Sequence, residues 1–423
     1  MVIEIDATPP GVTAPSLGSL RGPLALAISC FVVWGLAYGL LDVLNKHVQD
    51  TLSVGKAQST WLQIAYFGAY LLMSVPAGML LQARGYKFGI VFGLCVTAGG
   101  ALLFIPSAGA ANFNFFVGSM FVLASGLCVL ETAADTYVNV LGPPEHASRR
   151  LNLAQSFNAL GVFMGPLIGG AVFFAEGEGS AAASADQSGV QMTYLVIALA
   201  VLAFAAVVAR SRLPEIRDAA HGDSKSGGAG ASPFAQRHFV FGVVTQALYI
   251  GAQVGIGAFF INLVTETWPG FGSREGAFML AVATAAYLIG RFATTALLLR
   301  FAPRTILTVY GLINVALCLV VAAGLAKVSA IALVGVFFFM STMFATIFTL
   351  GVADLGPATK RGASLMVMAI GGGVLLPYPM GRIAEAYGTP AAFLLPAACF
   401  VVVALYGWRG AQVSAARGGR VTP

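Results

Sequence analysis

The sequence predicts an all-α membrane protein, with twelve transmembrane helices arranged as two pseudo-symmetric six-helix bundles. Three observations carry that prediction. Of 423 residues, 58% are hydrophobic and 9% charged, against roughly 25% charged in an average soluble domain. Apolar runs of about 20 residues, the length that crosses roughly 30 Å of hydrocarbon, recur along nearly the whole chain. One long polar interruption divides those runs six and six.

Read in order, the predicted spans are 24–48, 57–82, 87–106, 113–141, 148–174, 190–210, 238–264, 274–300, 303–325, 328–352, 361–386 and 389–409. The opening stretch MVIEIDATPPGVTAPSLGSLRG is polar and Pro-rich, with no basic n-region or cleavage site, so 1–23 reads as a tail and not as a removable signal. Residues 24–210 form the expected first bundle and 238–409 the second, followed by a tail at 410–423. Between the bundles, 211–237 has a Gly/Ser/Ala centre with mixed charge, the composition of a flexible linker.

Lys and Arg placement sets the expected orientation. With the N-terminus inside, the cytoplasmic segments hold Arg21, Arg84, Lys87, Arg149, Arg150, Arg210, Arg300, Arg304, Lys360 and Arg409, among others. The outer segments keep Lys46, Lys56, Arg274, Lys327 and Arg382, and Arg291 falls within a span. Both termini are therefore expected in the cytoplasm. The formal charge of +6 is a topology signal and implies the lipid bilayer, not nucleic acid, as the partner.

Five cysteines at unrelated spacings within the spans read as small core residues, and no pair of the four histidines has ligand spacing. No metal or cofactor is expected. Neither spans nor loops bring a nucleophile and a base together at a recognisable spacing, so an enzyme is not expected.

The halves echo one another. AYLLMSVPAGMLLQARGYKFGIVFGL starts at Ala69, and AYLIGRFATTALLLRFAPRTILTVYGL starts at Ala286. Each turns at a short basic loop between the second and third spans of its half. LGP recurs at 141–143 and 355–357, each time between a fourth and a fifth span. Two parallel six-span halves joined by a central linker is the organisation of major facilitator transporters, which bind substrate between the halves near mid-membrane.

An ionisable group in hydrocarbon is costly and usually functional. Few are present: Asp42 in the first span, Glu131 and Asp135 in the fourth, Arg291 in the eighth and Asp354 near the end of the tenth. Helical spacing puts Tyr38, Asp42 and Asn45 on one face. Asp42 has two readings, a proton or substrate site, or an acid paired with Lys46 at i+4. Glu131, Asp135 and Asn139 form a polar stripe on the fourth span. The fifth span adds Asn152, Gln155 and Asn158, and the seventh adds Gln246, Tyr249, Gln253 and Asn262. Amides donate and accept together, which suits sugar hydroxyls. The competing role is hydrogen bonding between helices.

Against this background the chain resembles one branch of the major facilitator superfamily, the fucose–galactose–glucose:proton symporters. The likeness runs from about 24 to 408. It is carried by LETAA at 130–134, VLGP at 140–143 with RLNLAQSFN at 150–158, GAQ at 251–253, GRF at 290–292, RFAP at 300–303, TIFTLG at 346–351 and GGG at 371–373. The resemblance implies monosaccharide import (fucose, galactose, glucose or an N-acetylhexosamine) by proton symport across the bacterial inner membrane. It assigns proton coupling to Asp42 and Glu131 and sugar contact to Gln155 and Asn158.

With the polar faces above, the expected substrate-binding set is Tyr38, Asp42, Asn45, Glu131, Gln155, Asn158, Tyr249, Gln253, Asn262 and Phe344. A monomer is the expected state and the proton the expected coupling ion. Asp135 is either an accessory proton relay or an acid bridged to Arg149 or Arg150. Rival readings are a proton-coupled exporter of a drug or metabolite, which needs a large apolar cavity, and a non-transporting nutrient sensor, which usually carries a long signalling extension.

Overall fold

The computed structural model describes residues 21–141, 147–174, 187–211, 236–353 and 359–410, together with residues 213, 234 and 355. Among them the chain is helical throughout, without a strand. The first half contributes α1 (Arg21–Leu52), a short α2 (Lys56–Ser59), α3 (Trp61–Arg84), α4 (Tyr86–Gly109), α5 (Phe113–Val140), α6 (Ala147–Val172) and α7 (Ser188–Arg210). The second contributes α8 (Arg237–Thr267), α9 (Ser273–Leu297), α10 (Pro303–Ala322), α11 (Ala326–Met340), α12 (Met343–Val352), α13 (Thr359–Met368), a 3-10 segment at Ala369–Val374, α14 (Pro377–Tyr387), α15 (Thr389–Ala392) and α16 (Leu394–Leu405). Eleven helical segments among the described residues are long and apolar enough to cross a membrane. The 26-residue α6 is the twelfth long element.

Local chemistry places the turns. Gly85 takes φ +81° between α3 and α4, a left-handed backbone that favours glycine. Pro303 and Pro377 stand in the first turns of α10 and α14, where no intrahelical N–H bond is forfeited. The Gly272 N–H at the start of α9 donates to Glu275 Oε2 at 2.8 Å, so a carboxylate caps that helix.

The sequence reading makes the tenth and eleventh spans continuous, whereas both are interrupted. The tenth breaks between α11 and α12, where Ser341 Oγ donates back to the Phe338 carbonyl at 2.7 Å. Such back-bonding by a short hydroxyl side chain offers the backbone an alternative to the helix ladder. The eleventh narrows to a 3-10 turn at its glycine triplet, since three glycines forfeit about 1 kcal/mol each of helix propensity.

In the first half α1 packs on α6, α4 on α5 and α7, and α3 on α5. In the second, α10 packs on α11 and α16, α9 on α11, and α8 on α12, α16 and the 3-10 segment. The two sets meet through α6 with α9, α3 with the 3-10 segment, α2 with α14, and α1 with α8. The expected linker centre, 214–233, and both expected tails beyond residue 410 and before residue 21 lie outside the described residues.

α1 crosses α6 through glycines. A Cβ at Gly161 would stand 2.5 Å from the Val32 carbonyl oxygen, and one at Gly165 would stand 2.6 Å from Gly39 Cα. Backbones therefore meet without intervening side chains, the contact that small residues permit in membranes. This crossing fixes the azimuth of α1 and turns Tyr38, Asp42 and Asn45 toward α3 and α8.

Candidate functional site

Asp42 is 9% exposed and lies between α1 and α8. A Cβ on Gly257 of α8 would overlap its Oδ2 and stand 3.0 Å from its Cγ, so the carboxyl group rests on bare helix backbone. The polar neighbour on α3 is Gln63, which is fully buried and turns its amide toward the carboxyl group. Lys46 does not pair with Asp42. Its Nζ bonds Asp50 Oδ1 at 2.7 Å, one turn further along α1. Of the two readings left open for Asp42, the ion pair with Lys46 falls.

One turn along α1 toward the α1–α2 turn, Asn45 is fully buried and donates from Nδ2 to the Ala258 carbonyl at 2.9 Å. Asn262, expected at the sugar, donates instead to Gln49 Oε1 at 2.6 Å, and Gln49 in turn donates to Ser59 Oγ at 2.8 Å. Both asparagines thus tie α1 to α8.

Around Tyr38 is an aromatic group from α3. Tyr38 lies 6.0 Å from Tyr66 and 6.2 Å, edge-on, from Phe67; Tyr66 stacks on Tyr70 at 5.3 Å. The Tyr66 and Tyr70 hydroxyls are buried, and both tyrosines stand within electrostatic reach of Glu131. Glu131 Oε2 is itself buried and unbonded. Glu131 also lines a narrow crevice between α1 and α5 with Cys30, Phe31, Trp34, Leu130 and Ala134.

Asp135 follows one turn on, within the electrostatic reach of Glu131, and its Oδ1 is buried without a hydrogen bond. Of the bases expected beside it, Arg149 falls outside the described side chains, and Arg150 directs Nε to the Val138 carbonyl at 3.0 Å. Asn139, Asn152 and Asp354 also lie outside the described side chains.

On α6, Gln155 and Asn158 are half-buried. Asn158 Nδ2 donates to the Phe31 carbonyl at 3.3 Å, tying α6 to α1. On α8, Tyr249 is fully buried and its hydroxyl donates to the Met340 carbonyl at 2.8 Å. Gln253 is half-buried, four residues from both Tyr249 and Gly257 and so on their face. Gln246, one turn before Tyr249, is fully buried with both amide atoms unbonded. Phe344 on α12 is half-buried and stacks with Phe348 at 6.5 Å. From α9, Tyr287 comes close to Tyr38 and Tyr249, and the Arg291 guanidinium lies 5.5 Å above its ring.

The centre between the halves therefore holds two separated carboxyl groups, Asp42 against α8 and Glu131 against α3, with a tyrosine cluster between them. Gln63, Tyr66, Tyr70, Trp34 and Tyr287 were absent from the expected set. The signal for three of them is present: Gln63, Tyr66 and Tyr70 follow i, i+3, i+7 spacing, a polar stripe on one helix face.

The scaffold that presents these groups matches a known family. Residues 26–376 match the model of the Major Facilitator Superfamily. The chain belongs to the Major Facilitator Superfamily. Within it, the chain is 36% identical over 403 residues to the L-fucose-proton symporter of Escherichia coli (strain K12), covering 91% of this chain and 92% of that one. It is 34% identical over 385 residues to the glucose/galactose transporter of Brucella abortus biovar 1 (strain 9-941), covering 90% and 92%. Among solved structures, the superfamily transporter FucP in the outward conformation superimposes with a TM-score of 0.68 at 34% identity, covering 93% of this chain and all of that one. This superfamily member is a multi-pass membrane protein of the branch that its sequence motifs resemble.

Proposed function

We propose that the protein imports a monosaccharide together with a proton by alternating access. The observation that carries this reading is the pair of buried carboxyl groups on a sugar-symporter scaffold, Glu131 with an unbonded, buried Oε2 and Asp42 set against the opposite half. Relatives named as an L-fucose-proton symporter and a glucose/galactose transporter support a hexose-type substrate.

Burying an ionised carboxylate is far more costly than burying a neutral carboxyl group. Occlusion therefore favours protonated Asp42 and Glu131, and sugar and proton stabilise the same closed state. A proton taken up from outside travels with the sugar and leaves to the cytoplasm when the opposite side opens. Tyr38, Gln63, Tyr66, Tyr70, Gln155 and Gln253 supply hydroxyls, amides and ring faces to such a ligand, and Asp135 is an accessory acid behind Glu131. The basic residues support an orientation with both termini in the cytoplasm of the inner membrane. On that orientation the α1–α2 turn faces outward.

Uptake of a labelled-sugar panel into proteoliposomes, with and without an imposed proton gradient, tests the function. L-fucose, D-galactose or D-glucose should accumulate only with the gradient directed inward. Glu131→Gln should abolish accumulation and leave sugar exchange partly intact, because the neutral amide mimics the protonated acid without releasing a proton. Undiminished uphill uptake in that variant would remove Glu131 from the coupling path.

A further inference from the structure

We propose that Gly257 is a positioning residue for proton coupling: its bare backbone is the seat on which the Asp42 carboxyl group docks when the outer side closes. The proposal rests on the reading of Asp42 as a coupling acid and adds the partner on the opposite half. Three observations converge on it.

First, a Cβ at Gly257 would overlap Asp42 Oδ2 and lie 3.0 Å and 3.3 Å from its Cγ and Oδ1, so the entire carboxyl group covers this one residue. Second, the next residue of α8 is fixed to the next turn of α1, through Asn45 Nδ2 and the Ala258 carbonyl at 2.9 Å. Asp42 and Asn45 are thus registered against two consecutive residues of the opposite half. Third, among the described residues no cation is paired with Asp42. Lys46 on its own helix is paired with Asp50. From α3 the facing group is neutral Gln63. Tyr38 is the near titratable group on α1, Tyr287 on α9 stands by Tyr38, and Arg291 of α9 lies over Tyr287.

The seat offers helix backbone whose N–H groups are already used within α8, and no cation; the one polar side chain facing the carboxyl group from α3 is the neutral amide of Gln63. An ionised carboxylate docked there would forfeit its water without a counter-charge. A neutral carboxyl group avoids that cost. Gly257 thereby converts proton occupancy of Asp42 into permission for α1 and α8 to meet. Any larger residue would hold the two helices apart whatever the protonation state.

The test uses the full-length protein in proteoliposomes, with the exposed Cys95 replaced by Ser. Spin labels at Ala110→Cys and Leu325→Cys, exposed positions in outer turns of the two halves, report the outer-closed fraction. Counterflow of the sugar identified in the uptake panel reports turnover without a gradient. Gly257→Ala should lower the ratio of outer-closed to outer-open molecules about tenfold, within the range for one methyl group forced into a packed contact, and counterflow should fall with it. Asp42→Glu, which lengthens the acid against the unaltered seat, should open the outer side in the same direction.

The double variant Asp42→Ala with Gly257→Ala should regain the closed fraction and counterflow of Asp42→Ala alone, because the added methyl then fills the space the carboxyl group left. Unchanged closure in both Gly257→Ala and Asp42→Glu would overturn the proposal. So would a double variant as open as Gly257→Ala. The reading beneath it fails separately: uphill uptake retained by Asp42→Ala would show that Asp42 is not a coupling acid, whatever the labels report.

Discussion

Asn45 illustrates how one residue's role depends on what its helix faces. Its spacing from Asp42 places it correctly on the inward face of α1, and an inward amide there suits a sugar hydroxyl as well as it suits a helix backbone. The structure directs Nδ2 to the Ala258 carbonyl, in a site with no exposure, while its Oδ1 has no partner. Asn45→Leu should therefore act on closure and not on sugar selectivity. Losing this bond between the halves forfeits about 0.5–1.5 kcal/mol, the Ala258 carbonyl keeping its place in the α8 ladder, so the outer-closed fraction should fall while the order of preference among sugars in counterflow stays the same. A changed preference order would return Asn45 to the sugar site. Faces were legible from the sequence at this scale, because periodicity fixes which side chains share a side of a helix. Partners were not, because nothing within α1 states that Gly257 and Ala258 stand opposite. Gln63, Tyr66 and Tyr70 are hard to distinguish in the sequence for a related reason: tyrosine and glutamine in an apolar span satisfy the same hydropathy window whether they line a cavity or pack in a core.

Element by element, apolar length and punctuation gave the spans closely, since hydrocarbon thickness leaves little freedom in helix length. Interruptions were harder to read. Ser341 and Thr342 look like ordinary small polar residues in a membrane helix, and the triplet at 371–373 reads equally as packing surface or as a break. Its glycines do both: a Cβ at Gly373 would crowd the Phe67 ring at 2.6 Å, and the backbone there is 3-10. The α1–α6 crossing is the element whose loss should be most visible in stability. Gly39 and Gly165 meet backbone to backbone, with a Cβ at Gly39 3.1 Å from Gly165 Cα and one at Gly165 2.6 Å from Gly39 Cα. Gly165→Val places three carbons where none fits. Overpacking of this kind costs about 1–3 kcal/mol, and more where backbone must move. The variant should unfold in detergent at a clearly lower temperature than the parent, followed by tryptophan fluorescence. Gly68→Val, on α3 where an added Cβ meets nothing within 4 Å, should not.

Across the whole molecule, the α1–α2 end is closed by a polar clasp that joins the halves. Lys56 Nζ bonds Glu266 and Thr389 Oγ1, the latter at 2.9 Å, and Glu266 accepts the Thr389 N–H at 3.1 Å and its hydroxyl at 2.8 Å. Nearby, Glu385 Oε1 accepts the Ala57 N–H at 2.9 Å, and Ser273 donates to Asp50 at 2.6 Å. α2, the end of α8 and the start of α15 are thereby held together, which is the arrangement of a transporter shut to the outside on the proposed orientation. A single exposed ion pair contributes about 0–1 kcal/mol, too little to hold two halves. Lys56 is different in kind, because it carries the bonds to both Glu266 and Thr389 across the halves, whereas the Glu266–Thr389 bonds lie within the second half. Lys56→Ala should therefore shift molecules from outer-closed to outer-open by roughly 3–10-fold, the equivalent of about 0.7–1.4 kcal/mol, and more than Glu266→Ala, which leaves the Lys56–Thr389 bond in place. Spin-label distances between Ala110→Cys and Leu325→Cys would register the shift as a longer-distance population. Raising the salt concentration should produce a smaller opening in the parent and almost none in Lys56→Ala, since screening acts on charges that the variant has lost. Distance distributions that do not change in Lys56→Ala would assign closure to the buried α1–α8 seam alone, with the clasp riding on it.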